Sequence, residues 1–286
     1  MEPAHRRKRL EQALVQRALT AVVLLAGFVA AVLLLPRALF AALVALFVGL
    51  AALEWARLSG LSPAARRFYA AALTGAAAGL LWIALATPWT DLQWVAAVFL
   101  AATLFWSVIV PAWLAFGVRP GAPRLLAGTG LAVLLPGALA LVLLPPVLVL
   151  MVLGLVWIAD SAAYFVGRAM GRHKLAPTIS PGKTWEGVAG GLLGVQVYAI
   201  ICAFMIPALE SRLEGGAKWL LYLGGAGLLF AVSVVGDLFE SALKRQASVK
   251  DSGTLLPGHG GVLDRIDSAL AVLPVAALMG YGLQLP

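Results

Sequence analysis

The sequence predicts an all-α integral membrane protein, a polytopic bundle of about nine transmembrane helices with a cytoplasmic N-terminus. Three observations lead to that class. Of the 286 residues 62% are hydrophobic and only 12% charged, against about 25% charged in an average soluble domain; mean hydropathy is +0.96. Apolar runs of about twenty residues recur along the whole chain, each able as a helix to cross about 30 Å of hydrocarbon. The basic residues are segregated as well. With nine spans and the N-terminus inside, every one of the 21 Lys and Arg except Arg37, Arg212 and Lys218 falls in a cytoplasmic segment, the bias expected from topology. The net charge of +8 and pI near 10.1 thus report orientation, and nucleic acid is not expected as a partner.

In chain order the spans are expected at about 18–35, 38–55, 69–86, 92–114, 125–144, 147–166, 187–207, 217–240 and 266–284. The first run is long and lacks a small-residue cleavage site, so it reads as a retained helix and not a signal peptide. Before it, HRRKRLEQALVQR at 5–17 reads either as a basic helix on the anionic inner leaflet or as a simple orientation signal. Pro145-Pro146 divides the fifth span from the sixth. In the seventh, Gly187, Gly190, Gly191 and Gly194 have the spacing of a close helix contact. The lone Cys202 lies inside that span and excludes disulfides and Cys-based zinc sites.

The halves differ. Up to about Leu144 the spans are Ala/Leu/Val-rich and polar residues keep to short connections such as RLSGLSPAARR; beyond it acids enter or flank the spans. Residues 1–145 are therefore expected to be scaffold or dimer contact. Residues 146–286 are expected to be the catalytic half, with cytoplasmic polar loops at about 167–186 and 241–265.

Asp160, in LVWIADSAAYFVG, sits where an acid costs about 2.5–3.5 kcal/mol on insertion scales, so it should face a salt-bridge partner or a wet cavity. Asp237, Glu240, Ser241 and Lys244 recur at i, i+3, i+4 and i+7, a polar stripe on an apolar rod. Asp264 and Asp267 imitate a capping box, but Asp264 read together with Asp237 offers the hard oxygen ligands that a divalent cation prefers. Between these acids, PGHGG brings glycines whose N–H groups can curl around a phosphate, Gly260 and Gly261 among them. Lys244, Arg245, Lys250 and Arg265 bracket it with cations suited to a triphosphate. His259 has no metal-spaced partner and reads as a phosphate donor or a loop-fixing group. In ISPGKTWEG the GKT is not a Walker A motif, because Pro177 stands where glycine is required. Lys183 and Thr184 can still meet a phosphate, while Ser180 and Thr184 could merely cap the helix that follows.

Ser241, Leu243, Lys244-Arg245, Lys250-Asp251, Gly253, Leu256-Pro257, His259-Gly260-Gly261, Val262 and Asp264-Arg265-Ile266-Asp267 resemble the signature of the phosphatidate cytidylyltransferases, or CDP-diacylglycerol synthases. Upstream, Asp160-Ser161, Tyr164, Gly167-Arg168, Gly171-Arg172, Ser180-Pro181, Lys183-Thr184 and Glu186-Gly187 are similar to that family's other polar region. The resemblance covers about residues 155–267. It implies an inner-membrane enzyme of phospholipid biosynthesis, a homodimer among membrane lipids, with its active site facing the cytoplasm. The implied reaction condenses CTP with phosphatidate to CDP-diacylglycerol and pyrophosphate. Mg2+ would be held by Asp237 and Asp264, with a second, monovalent cation (K+) nearby. The catalytic set would be Asp237, Asp264, Lys244, Lys250, His259 and Arg265. Ser180, Lys183, Thr184, Ser241, Arg245, Asp251, Gly260, Gly261, Asp267 and Asp160 would bind substrate. Two alternatives remain open at this point: the same chemistry on an isoprenoid lipid phosphate, and a secondary transporter with Asp160 and Asp237 as ion-coupling carboxylates.

Overall fold

The computed structural model describes residues 20–87, 93–117, 123–255 and 260–282. His259 and the basic segment 5–17 lie outside these described residues. The helices are α1 Thr20–Leu34, α2 Arg37–Leu58, α3 Pro63–Ala86, α4 Gln93–Phe116, α5 Pro123–Leu143, α6 Pro146–Met170, α7 Trp185–Met205, α8 Gly216–Gln246 and α9 Leu263–Gly282. Seven of them, α2 to α8, are long and apolar enough to cross a membrane, so the chain is a multi-pass membrane protein. Of the other expected spans, α1 is a shorter apolar helix, and α9 carries Asp264, Arg265 and Asp267 in its first turns.

Proline and hydroxyl chemistry set the helix limits. Pro145 cannot continue α5, and Pro146, whose missing N–H is no loss at a first helical position, begins α6. Ser62 caps α3, its Oγ accepting from Ala65 N at 3.4 Å. Within α4 a π-helical turn, Phe105–Ile109, stands just before Pro111, a residue with no N–H to offer a regular α ladder.

The last helix is the centre of the bundle. From Ser268 to Ala277 every residue of α9 is buried, and α2, α4, α5, α6 and α8 pack around it. A second tie is aromatic. The Phe239 ring of α8 lies 5.5–6.3 Å from the rings of Trp55 on α2 and of Phe105, Trp106 and Trp113 on α4, which holds three helices together one residue before Glu240. The glycines of α7 make the expected helix contact. A Cβ on Gly190 would stand 2.5 Å from Val166 Cβ, and one on Gly194 2.8 Å from Ala162 Cβ, both on α6.

Two expectations are corrected here. The segment 167–186 is not a plain loop: α6 continues to Met170, and a two-stranded antiparallel hairpin follows. Its strands are β1 Lys174–Ala176 and β2 Ser180–Thr184, with Lys174 opposite Thr184. The 241–265 loop is also shorter, because α8 runs on through Gln246, and Ser241, Lys244 and Arg245 are helical. The chain then leaves the helix through Ser248 at φ 55°, a left-handed conformation.

Gly190→Leu should therefore push α7 off α6 and cost about 1–3 kcal/mol by overpacking. Gly224→Ala, on α8 with nothing within 4 Å of the added Cβ, should gain up to about 1 kcal/mol. Thermal unfolding of the two variants in detergent checks the contrast.

Candidate active site

The two polar regions of the sequence meet in space. Lys183 reaches from β2 to Asp237 on α8, Nζ to Oδ2 at 2.5 Å, and Ser241, one turn further along α8, donates its hydroxyl to Asp237 Oδ1 at 3.3 Å. Arg245 Nε donates to the carbonyl of Ile179 at 3.2 Å, fastening the hairpin to the end of α8. Asp160 and Asp267 lie near enough to Asp237 to interact with it electrostatically, and Asp160 feels Lys183 as well. Asp160 is exposed and Asp267 half-buried; Asp267 Oδ1 accepts from Ser268 N at 2.7 Å. Asp160, Asp237 and Asp267 thus lie within electrostatic reach of one another, with Lys183 paired to Asp237.

Deeper in, Lys244 pairs with two carboxylates at once, Glu240 on its own helix and Asp264 Oδ1 of α9 at 2.7 Å. Only 13% of the lysine side chain is exposed. The other oxygen of Asp264 accepts from Ser252 N (2.9 Å) and Gly261 N (2.8 Å) and lies 3.0 Å from Ser252 Oγ, whose single proton it shares with Glu54. The charge of Lys244 is engaged by Glu240 and Asp264. The N–H of Gly261 points at Asp264 and not at an open nest. Gly260 is at φ +82°, where glycine alone is unstrained. Thr184 takes the capping role: it is buried, and its Oγ accepts from Gly187 N at 3.1 Å at the start of α7. Ser180 stands half-buried on β2 opposite Ala176. Arg245, Lys250, Asp251 and Arg265 are exposed, and His259 lies outside the described residues.

One carboxylate was not anticipated. Glu54, from α2 in the half expected to be scaffold, is 5% exposed. It accepts from Val262 N at Oε1, and from Leu263 N and Ser252 Oγ at Oε2, each at 2.9 Å. Its signal was present in the sequence as a single acid inside the apolar run LAALEWA, the same feature that singles out Asp160. Glu186 was assigned only by resemblance. Its carboxylate closes the base of the hairpin, accepting from Arg172 N at 3.1 Å and lying 2.6 Å from His173 Nδ1.

The donor set is of the right kind for Mg2+, a hard cation usually held by one or two carboxylates plus water and substrate phosphates. Among the described residues no group of three or more His, Cys, Asp or Glu is arranged as a cage for a metal. Asp237, with Asp160 and Asp267 beside it, suits a centre that the substrate's own oxygens complete. Asp264 Oδ1, which accepts from Lys244, keeps a second lone pair for a cation.

Sequence comparisons identify the family of the chain. The model of the cytidylyltransferase family matches residues 15–282. The chain is 43% identical over 273 residues to the phosphatidate cytidylyltransferase of Pseudomonas aeruginosa, covering 92% of this chain and 96% of that protein. It is 52% identical over 120 residues to the phosphatidate cytidylyltransferase of Haemophilus influenzae (42% of this chain, 41% of that protein). With that of Thermotoga maritima it shares 45% identity over 128 residues (45% and 47%). A match to the family model over nearly the whole length, together with 43% identity to a relative over 92% of the chain, places the chain in the cytidylyltransferase family.

Proposed function

We propose that this chain condenses CTP with phosphatidate to give CDP-diacylglycerol and pyrophosphate, as the names of its relatives suggest. The observation that carries the reading is the pairing of Lys183 on the hairpin with Asp237 on α8, because it joins both polar regions into one site at the end of an apolar bundle. A water-soluble nucleotide and a membrane lipid can meet only at such a boundary. The finer topology belongs to this reading: nine crossings of an inner membrane, the N-terminus inside and the site facing the cytoplasm, where CTP is found.

In the proposed reaction a phosphate oxygen of phosphatidate attacks the α-phosphorus of CTP in line. The new O–P bond forms as the bond to the bridging oxygen breaks, and pyrophosphate carries off that electron pair. The nucleophile is already anionic, so no general base is needed, and catalysis reduces to positioning and charge compensation. Asp237, with Asp264, Asp160 and Asp267, would hold Mg2+, which would supply charge neutralisation on the phosphate oxygens. Lys183 stands at the acids and can turn to a phosphate. The exposed Arg245, Lys250 and Arg265 form a cationic rim for the triphosphate. Ser241 orients Asp237. The family resemblance extends the reading to a homodimer and to a monovalent cation such as K+ beside the same acids.

The test is direct. Purified protein in detergent with phosphatidate, CTP and Mg2+ should release pyrophosphate and form lipid-linked cytidine. Omitting Mg2+ should abolish both products, and Asp237→Asn should lower the rate by at least about 100-fold. An isoprenoid phosphate in place of phosphatidate should give no product; turnover of that lipid alone would change the assigned substrate.

Lys244 and Lys250 should separate structure from binding. Lys244→Met leaves Glu240 and Asp264 facing each other without their cation and should destabilise the fold by about 3–5 kcal/mol, read as a fall in Tm. Lys250→Met, at an exposed position, should leave Tm unchanged and raise the KM for CTP.

A further inference from the structure

Glu54 is buried in an apolar helix, where a carboxylate without compensation is costly, yet its partners among the described residues are neutral: two backbone N–H groups and one hydroxyl. Both N–H groups open α9, so the carboxylate sits at the positive end of that helix, supplied from a residue more than two hundred positions earlier. A helix start is ordinarily capped by a nearby side chain. Here the nearby acid, Asp264, is engaged by Lys244, Ser252 and Gly261, and Glu54 takes over the capping of α9.

The turn is shaped around this carboxylate. A Cβ on Gly253 would stand 2.8 Å from Glu54 Cδ, and one on Gly261 2.6 Å from it. Two glycines of the charged stretch thereby admit Glu54. Its neighbour Trp55 is fixed as well, its Nε1 donating to the Leu126 carbonyl at 2.7 Å and its ring against Phe239, so the mount is rigid.

Ser252 links the two acids. Its hydroxyl lies 2.9 Å from Glu54 Oε2 and 3.0 Å from Asp264 Oδ2. A hydroxyl has one proton to give. When Asp264 turns toward a ligand, Ser252 can donate to Glu54 and is not left unsatisfied in a buried site. We propose that Glu54 is a positioning residue for the transfer reaction: from the first half of the chain it fixes Ser252 and the Val262–Leu263 start of α9 and, through Ser252, lets the Asp264 carboxylate swing without releasing those anchors. The inference rests on the proposed function of the site.

The experiment compares the full-length protein with Glu54→Gln, Glu54→Asp and Ser252→Ala. For each it measures kcat and KM for CTP with phosphatidate, both per folded molecule from thermal unfolding. Hydrogen exchange of the 252–263 amides is followed without substrate. Glu54→Gln is expected to speed exchange at these amides and to lower kcat by about 100-fold, the scale of a small misplacement of catalytic groups. Glu54→Asp should recover part of that loss. Ser252→Ala should fold normally, lower kcat less, and add little when combined with Glu54→Gln. Unchanged kcat per folded molecule in Glu54→Gln would make the residue a structural strut and overturn the proposal, as would equal losses for the Gln and Asp variants. If both Glu54 variants fail to fold, Ser252→Ala decides by the same measure of kcat. Absence of product from the parent protein would sink the functional reading instead, and the exchange comparison would then decide whether Glu54 holds the turn.

Discussion

A lysine held between two carboxylates inside an apolar bundle is the constraint on which the site depends. Lys244 pairs with Glu240 and Asp264, and all three are far more expensive apart than together, because each lone charge would face a medium unable to solvate it. The ion triad therefore fixes how α8 lies against α9. It sits one residue from Phe239, whose aromatic cage binds α8 to α2 and α4. Packing and electrostatics thus fix the same rod at adjacent residues, and the surface beyond it, where Asp237, Lys183 and Asp267 meet, inherits that rigidity. Such a foundation suits chemistry that relies on preorganised charge.

Much of this was legible in the chain. Long apolar runs and the Pro145-Pro146 break located the helices because hydropathy and proline sterics act locally. The glycines of α7 announced their contact with α6 for the same reason. The polar stripe Asp237, Glu240, Ser241 and Lys244 was readable from helical spacing alone. What spacing could not supply was direction across helices. Lys244 looked like a ligand for phosphate because its neighbours in sequence are cations and glycines; its partner Asp264 is twenty residues away and comes from another helix. The hairpin at 174–184 escaped because strands of three and five residues around Pro177 leave no alternation to detect. Glu54 was visible as a lone acid in an apolar span, but its meaning lies in a turn some two hundred residues later.

The glycines of the charged stretch carry a related lesson. Glycines near a basic, phosphate-handling sequence suggest a nest for an anion, and the turn does hold anions, but they are the protein's own. Gly261 gives its N–H to Asp264, and its missing side chain, like that of Gly253, leaves room for Glu54. A carboxylate thus takes the N–H of one glycine of that stretch, Gly261. The consequence is a set of acids oriented by backbone dipoles before any ligand arrives.

The balance of charge then argues for the kind of ligand. Among the described residues, Glu54, Asp160, Asp237, Glu240, Asp264 and Asp267 gather at this end of the bundle, and Lys183 and Lys244 pair with acids of this group. Bare phosphates would be repelled by such an interior. Phosphates that arrive with a divalent cation would not, since the metal answers the acids while Arg245, Lys250 and Arg265 on the exposed rim face the remaining oxygens. An acidic interior beneath a basic rim is what a cation–triphosphate complex needs, and it is poorly suited to either the cation or the nucleotide alone. On this reading the binding of metal and CTP is one coupled event. The crowding of both signs of charge into so short a piece of an oily chain follows from that coupling.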